Sequence, residues 1–504
     1  MIKAIAFFSV AAWLILVASS VWFGSLNQDE GWYLYAANMI GEGYMPYLDF
    51  AFTQGPVMPY VYSAVSAIWK NYGLLGARLF TCSLALLATI MFAATAALLA
   101  KRKCAAFAFL SVFILLANNV FHVYYTAIPK TYALTALFLS VASFAFVKAM
   151  LRGGTARHLY IALSASAFAF AAATRISFAV LLPIIALSLL AVGKKNRLFV
   201  FFVFCGVVAL VLGFVYFPFL IDDGAREGLL ESIAYHSQRG DGLDFMNVVG
   251  SLSRLSRAYL PLFVFAGVAI CRNLFCRDKS GDASAADNAG YPLLVVFTVS
   301  FAALFAVHLF SPFPYEDYQT PVMCLAAVVV AVAVSHLFEP RYIAIVLLGV
   351  VWISSFSSPL IESWFVAGHD RFWPVMKKCS DIDLLRSTAR EIEQLDPGGK
   401  ELLTQDLYLA IETNRRVPRG LEMGPFSTLT LEQFCALISR STAPVAALSG
   451  YSFAIEPPKC NERDKEEQQM LWEIVDSNYQ HAKDVPGFGQ HSTLLRIYQR
   501  KQSE

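Results

Sequence analysis

Asp29 and Glu30 are adjacent carboxylates that follow directly on the first apolar run of the chain. They lie in Asn27-Gln-Asp-Glu-Gly-Trp-Tyr33, a stretch that continues to Tyr62 through Tyr35, Asn38, Tyr44, Tyr47, Asp49 and Gln54. Pro46, Pro56 and Pro59 break its backbone. A carboxylate within hydrogen-bond reach of a hydroxyl can take its proton as that hydroxyl attacks. The segment therefore reads as the floor of a site, with Tyr33, Asp49 and Gln54 as candidates to hold a hydroxyl-rich ligand. It also reads as a plain helix start, with Asp29 capping a short interfacial helix from Gly31 and Glu30 in its first turn.

Cations at the same face decide between these readings. Arg and Lys concentrate on the cytoplasmic side of membrane proteins, so their presence at outer ends is unexpected. Arg78 opens one apolar run, Lys130 precedes another, and Arg175 sits between two in Ala171-Ala-Ala-Thr-Arg-Ile-Ser177. A charge in so apolar a setting needs a partner. Snorkelling to lipid headgroups is one account. A clamp on a phosphate or diphosphate is the other, because the planar guanidinium gives bidentate hydrogen bonds to phosphate oxygens. A third cluster, Ser311-Pro-Phe-Pro-Tyr-Glu-Asp-Tyr-Gln-Thr-Pro321, offers Tyr315 and Tyr318 to sugar hydroxyls. It equally suits a Pro-rich turn with interfacial tyrosines. His122, Tyr124 and Tyr125 admit the same two readings. There is no phosphate-binding P-loop, no GxSxG and no HExxH. Without a cradle for ATP, a primary pump is disfavoured.

What must position these residues is a membrane domain. The chain is 57% hydrophobic and only 15% charged, against about 25% charged in soluble domains. Its net charge of +2 gives no reason to expect nucleic acid. A spanning helix needs about 20 mostly apolar residues. Runs of that kind lie near 4–24, 73–100, 104–120, 131–150, 159–174, 177–193, 198–220, 256–275, 291–310, 321–337 and 341–360, or roughly eleven spans. The first run is too long for the core of a cleaved signal peptide and is expected to stay as a span. Every second loop is basic: Lys101-Arg102-Lys103, then Arg152 with Arg157, Lys194-Lys195, Arg272 with Arg277, and Arg341. This phase puts the N-terminus in the cytoplasm and the C-terminus outside. The loops 25–72, 121–130, 174–177, 221–255 and 311–320 then share the outer face with the tail.

The tail, 375–504, is expected to form a small extracytoplasmic α/β domain of about 120 residues. Ser380 to Leu395 has helical spacing. Pro444 to Leu448 and Ser492 to Tyr498 read as strands, and Pro397-Gly-Gly and Pro418-Arg-Gly mark turns. The nine cysteines show no metal-ligand spacing. Outside the cytoplasm, Cys379, Cys435 and Cys460 allow one disulfide with one thiol left over.

These residues carry a resemblance. Asp29-Glu30-x-x-Tyr33, then Ala36, Met39-Ile40, Gly43, Tyr47-x-Asp49 and Pro56, resembles the first outer loop of C-type membrane glycosyltransferases. The closest likeness is to the group holding protein O-mannosyltransferases and lipid A aminoarabinose transferases. Ala77-Arg78-Leu79, Thr174-Arg175 and Tyr318-x-x-Pro321 are similar to further steps of that pattern. The resemblance covers about the first 190 residues well and the later spans loosely.

It implies a bacterial inner-membrane transferase that moves a sugar from a polyprenyl-phosphate donor to an extracytoplasmic lipid, glycan or protein. Residues 1–374 would be the transferase domain. Asp29 would be the general base, and Glu30 would orient the acceptor or help hold a divalent metal. Arg78, Lys130 and Arg175 would bind the donor phosphate. Two departures stand out. Gln54-Gly55-Pro56 lacks the Lys that relatives carry before this Pro, and Lys130-Thr131 replaces an Asp that many relatives have there. Together they suggest a rearranged phosphate clamp. Two alternatives are a flippase or transporter for a lipid-linked saccharide, and a catalytically inactive assembly subunit. A site at the surface rather than mid-membrane, and a large outer domain, favour the enzyme.

Overall fold

In the computed structural model, residues 2–192, 196–238, 244–275, 290–337, 340–360, 379–427, 429–449 and 462–501 are described. All eleven apolar runs are helical. Six helices are long and apolar enough to cross a membrane, or up to eight if two bent pairs each count as one span, among the described residues. The remaining runs form helices that are shorter or less apolar than these. The fold is that of an integral membrane protein, as the apolar helices require.

The first helices set the pattern. Helix α1 is Ile2–Phe23, α2 is Gln28–Gly41, α3 is Val57–Ser63 and α4 is Ala67–Leu99. α4 contains a break at Gly73 (φ 64°), so its straight part begins where the apolar run does. Leu74 N–H, left without an intrahelical acceptor by that break, donates to Glu412 Oε2 at 2.8 Å.

The run 104–120 does not continue as one rod. α5 (Ala105–Ala117) and α6 (Val120–Ala127) meet at 68°. The cause is the pair Asn118 and Asn119, whose amides compete with the helical ladder. Asn118 Nδ2 donates to Ser9 O and its Oδ1 accepts from Ser9 Oγ, both at 2.8 Å. Asn119 Oδ1 caps α6 by accepting from His122 N at 3.0 Å.

Helices α7 (Thr131–Leu151) and α8 (Gly154–Thr174) form a hairpin against α4, and α10 (Arg197–Ile221) packs on α8 beyond the short α9 (Leu181–Val192). Ala142, Ala145, Ala149, Ala165 and Ala169 are fully buried, and small residues of this kind let transmembrane backbones approach closely. Beyond α10 come α11 (Asp223–Gln238) and α12 (Phe245–Ala258), with α13 (Leu260–Phe275) set at 87° to α12. α14 (Gly290–Leu309), α15 (Thr320–Leu337) and α16 (Pro340–Ser355) complete the bundle, with α15 packed among α5, α13 and α14.

The C-terminal region contains α17 (Asp381–Leu395), capped by Ser380 as its spacing predicts. α18 (Leu407–Thr413), α19 (Leu431–Arg440), β1 (Val445–Ser449), α20 (Glu462–Asn478), β2 (Tyr479–Phe488) and β3 (Thr493–Arg500) follow. The sheet is antiparallel with order β1-β3-β2. Strand β2 was not expected from sequence. Cys379 and Cys435 are both free; Cys460 and the boundary at 374 lie outside the described residues. One continuous apolar core joins this region to α2, α3 and the start of α4.

Candidate active site

The site begins at the first turn of α2. Asn27 caps it: its Oδ1 accepts from Asp29 N at 3.1 Å, and its own N–H donates to Glu30 Oε1 at 2.9 Å. The cap is therefore Asn27, not Asp29, and Glu30 closes a capping box. This sends the two neighbouring carboxylates in different directions.

Glu30 turns into the protein and meets Arg78. Arg78 Nε donates to Glu30 Oε2 at 2.9 Å, and Nη2 to Oε1 at 2.6 Å. The remaining donors go to carbonyls: Nη1 to Val21 and Gly24, Nη2 to Ser25. Arginine has five N–H groups, and here all are used. Both side chains are buried, and neither lines the cavity described next. Every guanidinium donor of Arg78 is thus taken within the chain, and neither residue reaches the cavity, whereas the sequence reading set Arg78 against the phosphate and Glu30 beside the acceptor or a metal.

Asp29 faces a cavity of 270 Å³ that lies where the ends of α2, α7, α8, α14 and α15 converge. Its side chain remains 32% exposed, and Oδ2 is 2.7 Å from Lys130 Nζ. Lys130, the residue before α7, also contacts Asp317 Oδ2 at 3.3 Å, and Tyr132 OH donates to the same oxygen at 2.8 Å. Burial opposes the Lys130 charge, but the Asp29 carboxylate, Tyr132 and Asp317 hold its ammonium well above the usual lysine range. Burial, reinforced by Asp29, pushes the Tyr33 phenol far above its ordinary value, so it stays protonated.

Arg175 caps the C-terminal end of α8 and is buried. Its guanidinium lies over the rings of Tyr318 and Tyr132, 4.6 and 5.1 Å from their centroids. Nη1 donates weakly to Thr131 Oγ1 at 3.3 Å, and Nε has no acceptor. Among the described residues no carboxylate pairs with it. An unpaired buried cation is costly, and an anion in the cavity would offset that cost. The aromatic faces supply cation–π attraction without consuming its donors.

Of the expected ligand-binding residues, Tyr33, Gln54 and Tyr318 line this cavity. Asp49 does not: it accepts from Met45 N at 2.7 Å and faces a neighbouring hollow. Tyr315 is 49% exposed and stacks on Phe313; it packs edge-on against Tyr318 without lining the cavity itself. Sequence reasoning missed Tyr132 and His308, which both line it; His308 Nε2 lies 2.7 Å from Ser177 Oγ. A lone His in an apolar run was the available signal. The C-terminal region contributes Met423 and Phe426 to the wall. Among the described residues no three His, Cys, Asp or Glu side chains gather as metal ligands. The site does not fit a divalent metal, because the position between Asp29 and Asp317 is filled by the Lys130 ammonium.

No protein-family model and no curated protein matches this chain. Its structure is similar to that of ArnT from Cupriavidus metallidurans. The apo form aligns with a TM-score of 0.62 at 14% identity, covering 98% of each chain. The form bound to undecaprenyl phosphate aligns with a TM-score of 0.63 at 13% identity, covering 98% of this chain and 97% of that one. The archaeal oligosaccharyltransferase AglB from Archaeoglobus fulgidus, in complex with an inhibitory peptide and a dolichol-phosphate, aligns with a TM-score of 0.46 at 12% identity, over 99% of this chain and 74% of that one. The fold expected from the first outer loop is the fold this chain shares with ArnT, a C-type membrane glycosyltransferase.

Proposed function

We propose that this chain is a glycosyltransferase that moves a sugar from a polyprenyl-phosphate donor to an extracytoplasmic acceptor. The observation that carries the reading is Arg175, a buried cation with an unused donor, in the same cavity as the partly exposed Asp29 carboxylate. One group suits a phosphate and the other a hydroxyl proton. ArnT, whose fold this chain shares, has been crystallised with undecaprenyl phosphate.

Asp29 takes the proton of the acceptor hydroxyl, whose oxygen bonds to the anomeric carbon. The bond from that carbon to the phosphate oxygen breaks, and polyprenyl phosphate leaves with one more negative charge. Arg175 meets that charge through Nε and Nη. Lys130 has three N–H donors; two point at Asp29 and Asp317, and the third is available to a phosphate oxygen. A single displacement of this kind inverts the anomeric centre. Ile176 and Val307 on one wall suit the start of a prenyl chain. The N-terminus is cytoplasmic and the site faces outward in this reading, in a bacterial inner membrane.

The test is transfer from a panel of radiolabelled polyprenyl-phosphate sugars by membranes carrying the chain. Transfer from one donor, cut by about 10²–10⁴-fold in Asp29→Asn, supports the enzyme. Unchanged transfer in that variant refutes Asp29 as base. Lipid translocation without transfer would establish the flippase instead.

A further inference from the structure

We infer that the C-terminal α/β region holds the first turn of α2, and with it Asp29, through Gln28 as a positioning residue; this rests on the proposed role of Asp29. Gln28 precedes Asp29 and is 2% exposed. Its Nε2 donates to Asp406 Oδ1 at 2.8 Å and lies 3.2 Å from Tyr408 OH, which itself donates to Asp406 Oδ1 at 2.7 Å. Its backbone N–H, one of the groups a helix start leaves unpaired, donates to Gln490 Oε1 at 2.8 Å. Leu26 N donates to Asp381 Oδ2 at 3.2 Å. The next turn is gripped by contact rather than by hydrogen bonds. A Cβ on Gly31 would stand 2.3 Å from Tyr408 N, so only glycine lets the two backbones approach this closely. Further along, Val417 N donates to Tyr35 OH at 3.0 Å.

The arrangement does more than dock two pieces. α2 is only 14 residues long, and its N-terminal end is the one that must face the cavity. Short helices owe their stability to tertiary packing. The hydrogen bonds made by Leu26 N and by Gln28 all go to residues more than 350 positions away. Asp406 is itself fully buried, which raises its carboxyl above the usual range. A buried carboxylate is an expensive anchor, and Gln28 is the neutral donor that it needs. The titratable groups facing Asp406 are Tyr408 and, at longer range, His491 from the turn between β2 and β3.

The experiment uses the full chain in lipid nanodiscs. Gln28→Met keeps the length but removes the donor, and Gln28→Glu sets a second carboxyl against Asp406. In Gln28→Met, amide hydrogen exchange over residues 28–31 rises about tenfold or more, affinity for undecaprenyl phosphate stays within about twofold, and turnover falls about tenfold. In Gln28→Glu, protection is lost at alkaline pH, where both carboxyls carry charge, and returns as pH falls and the two carboxyls share a proton; a merely structural lesion gives no such recovery. Unchanged exchange in Gln28→Met, or no recovery in Gln28→Glu, overturns the clamp. Raised exchange with undiminished turnover overturns Gln28 as a positioning residue. Should the wild-type chain transfer no sugar, the functional reading fails, while the exchange measurements still decide the clamp.

Discussion

Glu30 and Asp29 are neighbours on one helix turn, and each meets a cation, yet the two ion pairs are opposites. Around Glu30 and Arg78 every donor is matched and no cavity opens. Around Asp29, Lys130 and Arg175 the pairing is incomplete: one guanidinium nitrogen has no acceptor, and the carboxylate stays open to the cavity. A saturated buried pair can only hold structure. An unsaturated one beside a cavity can still take up a ligand, since a buried charge left unpaired gains from a partner.

The comparison is broken most easily at its saturated side. Arg78→Ala leaves Glu30 buried and alone, and costs about 3–5 kcal/mol of stability. It should appear as loss of folded protein in membranes, by thermal unfolding in detergent. Arg175→Gln should do the reverse: undecaprenyl phosphate binding weakens by about 10- to 100-fold, while thermal stability holds or rises, because an uncompensated charge has been removed. If Arg175→Gln unfolded the protein as Arg78→Ala does, the two regions would not differ in kind.

Two pH experiments sharpen the contrast. The folded-state pKa of Lys130 is raised, so its contribution is fully present below the unfolded value of about 10.4 and is lost only as pH climbs through the folded one. Binding of undecaprenyl phosphate should therefore be flat from about pH 7 to 9. Asp406 behaves in the opposite sense. A carboxyl whose pKa is raised on folding binds its proton more tightly in the native state, so stability falls as pH rises from about 4 through the folded value. Asp406→Asn should flatten that decline in thermal unfolding, the smallest of these effects.

Much of this was legible in the sequence. Runs of apolar residues marked every bundle helix, because a bilayer leaves a chain few other ways to satisfy its backbone. Lys130 and Arg175 stood out as cations at ends where cations are rare. Arg78 stood out equally, and nothing along the chain distinguishes it. Which of two adjacent carboxylates turns inward is set by the Asn27 cap, a matter of helix phase. The bend at Asn118-Asn119 splits one apolar run into two helices, and a side chain that competes with the ladder gives no hydropathy signal. Strand β2 was invisible for a related reason. It is an edge strand containing Pro486 and mostly exposed residues, and edges tolerate what central strands exclude. The union of α2 with residues beyond 380 is a long-range fact that local spacing does not carry.

The most direct measurement sets Asp29→Asn against wild type in the same nanodiscs, reading undecaprenyl phosphate affinity, thermal unfolding and sugar transfer together. Affinity within about threefold, an unmoved unfolding temperature and transfer reduced by about 10²–10⁴-fold are the expected results. Transfer that persists at the wild-type rate, with Asp29 gone and the fold intact, would contradict the account.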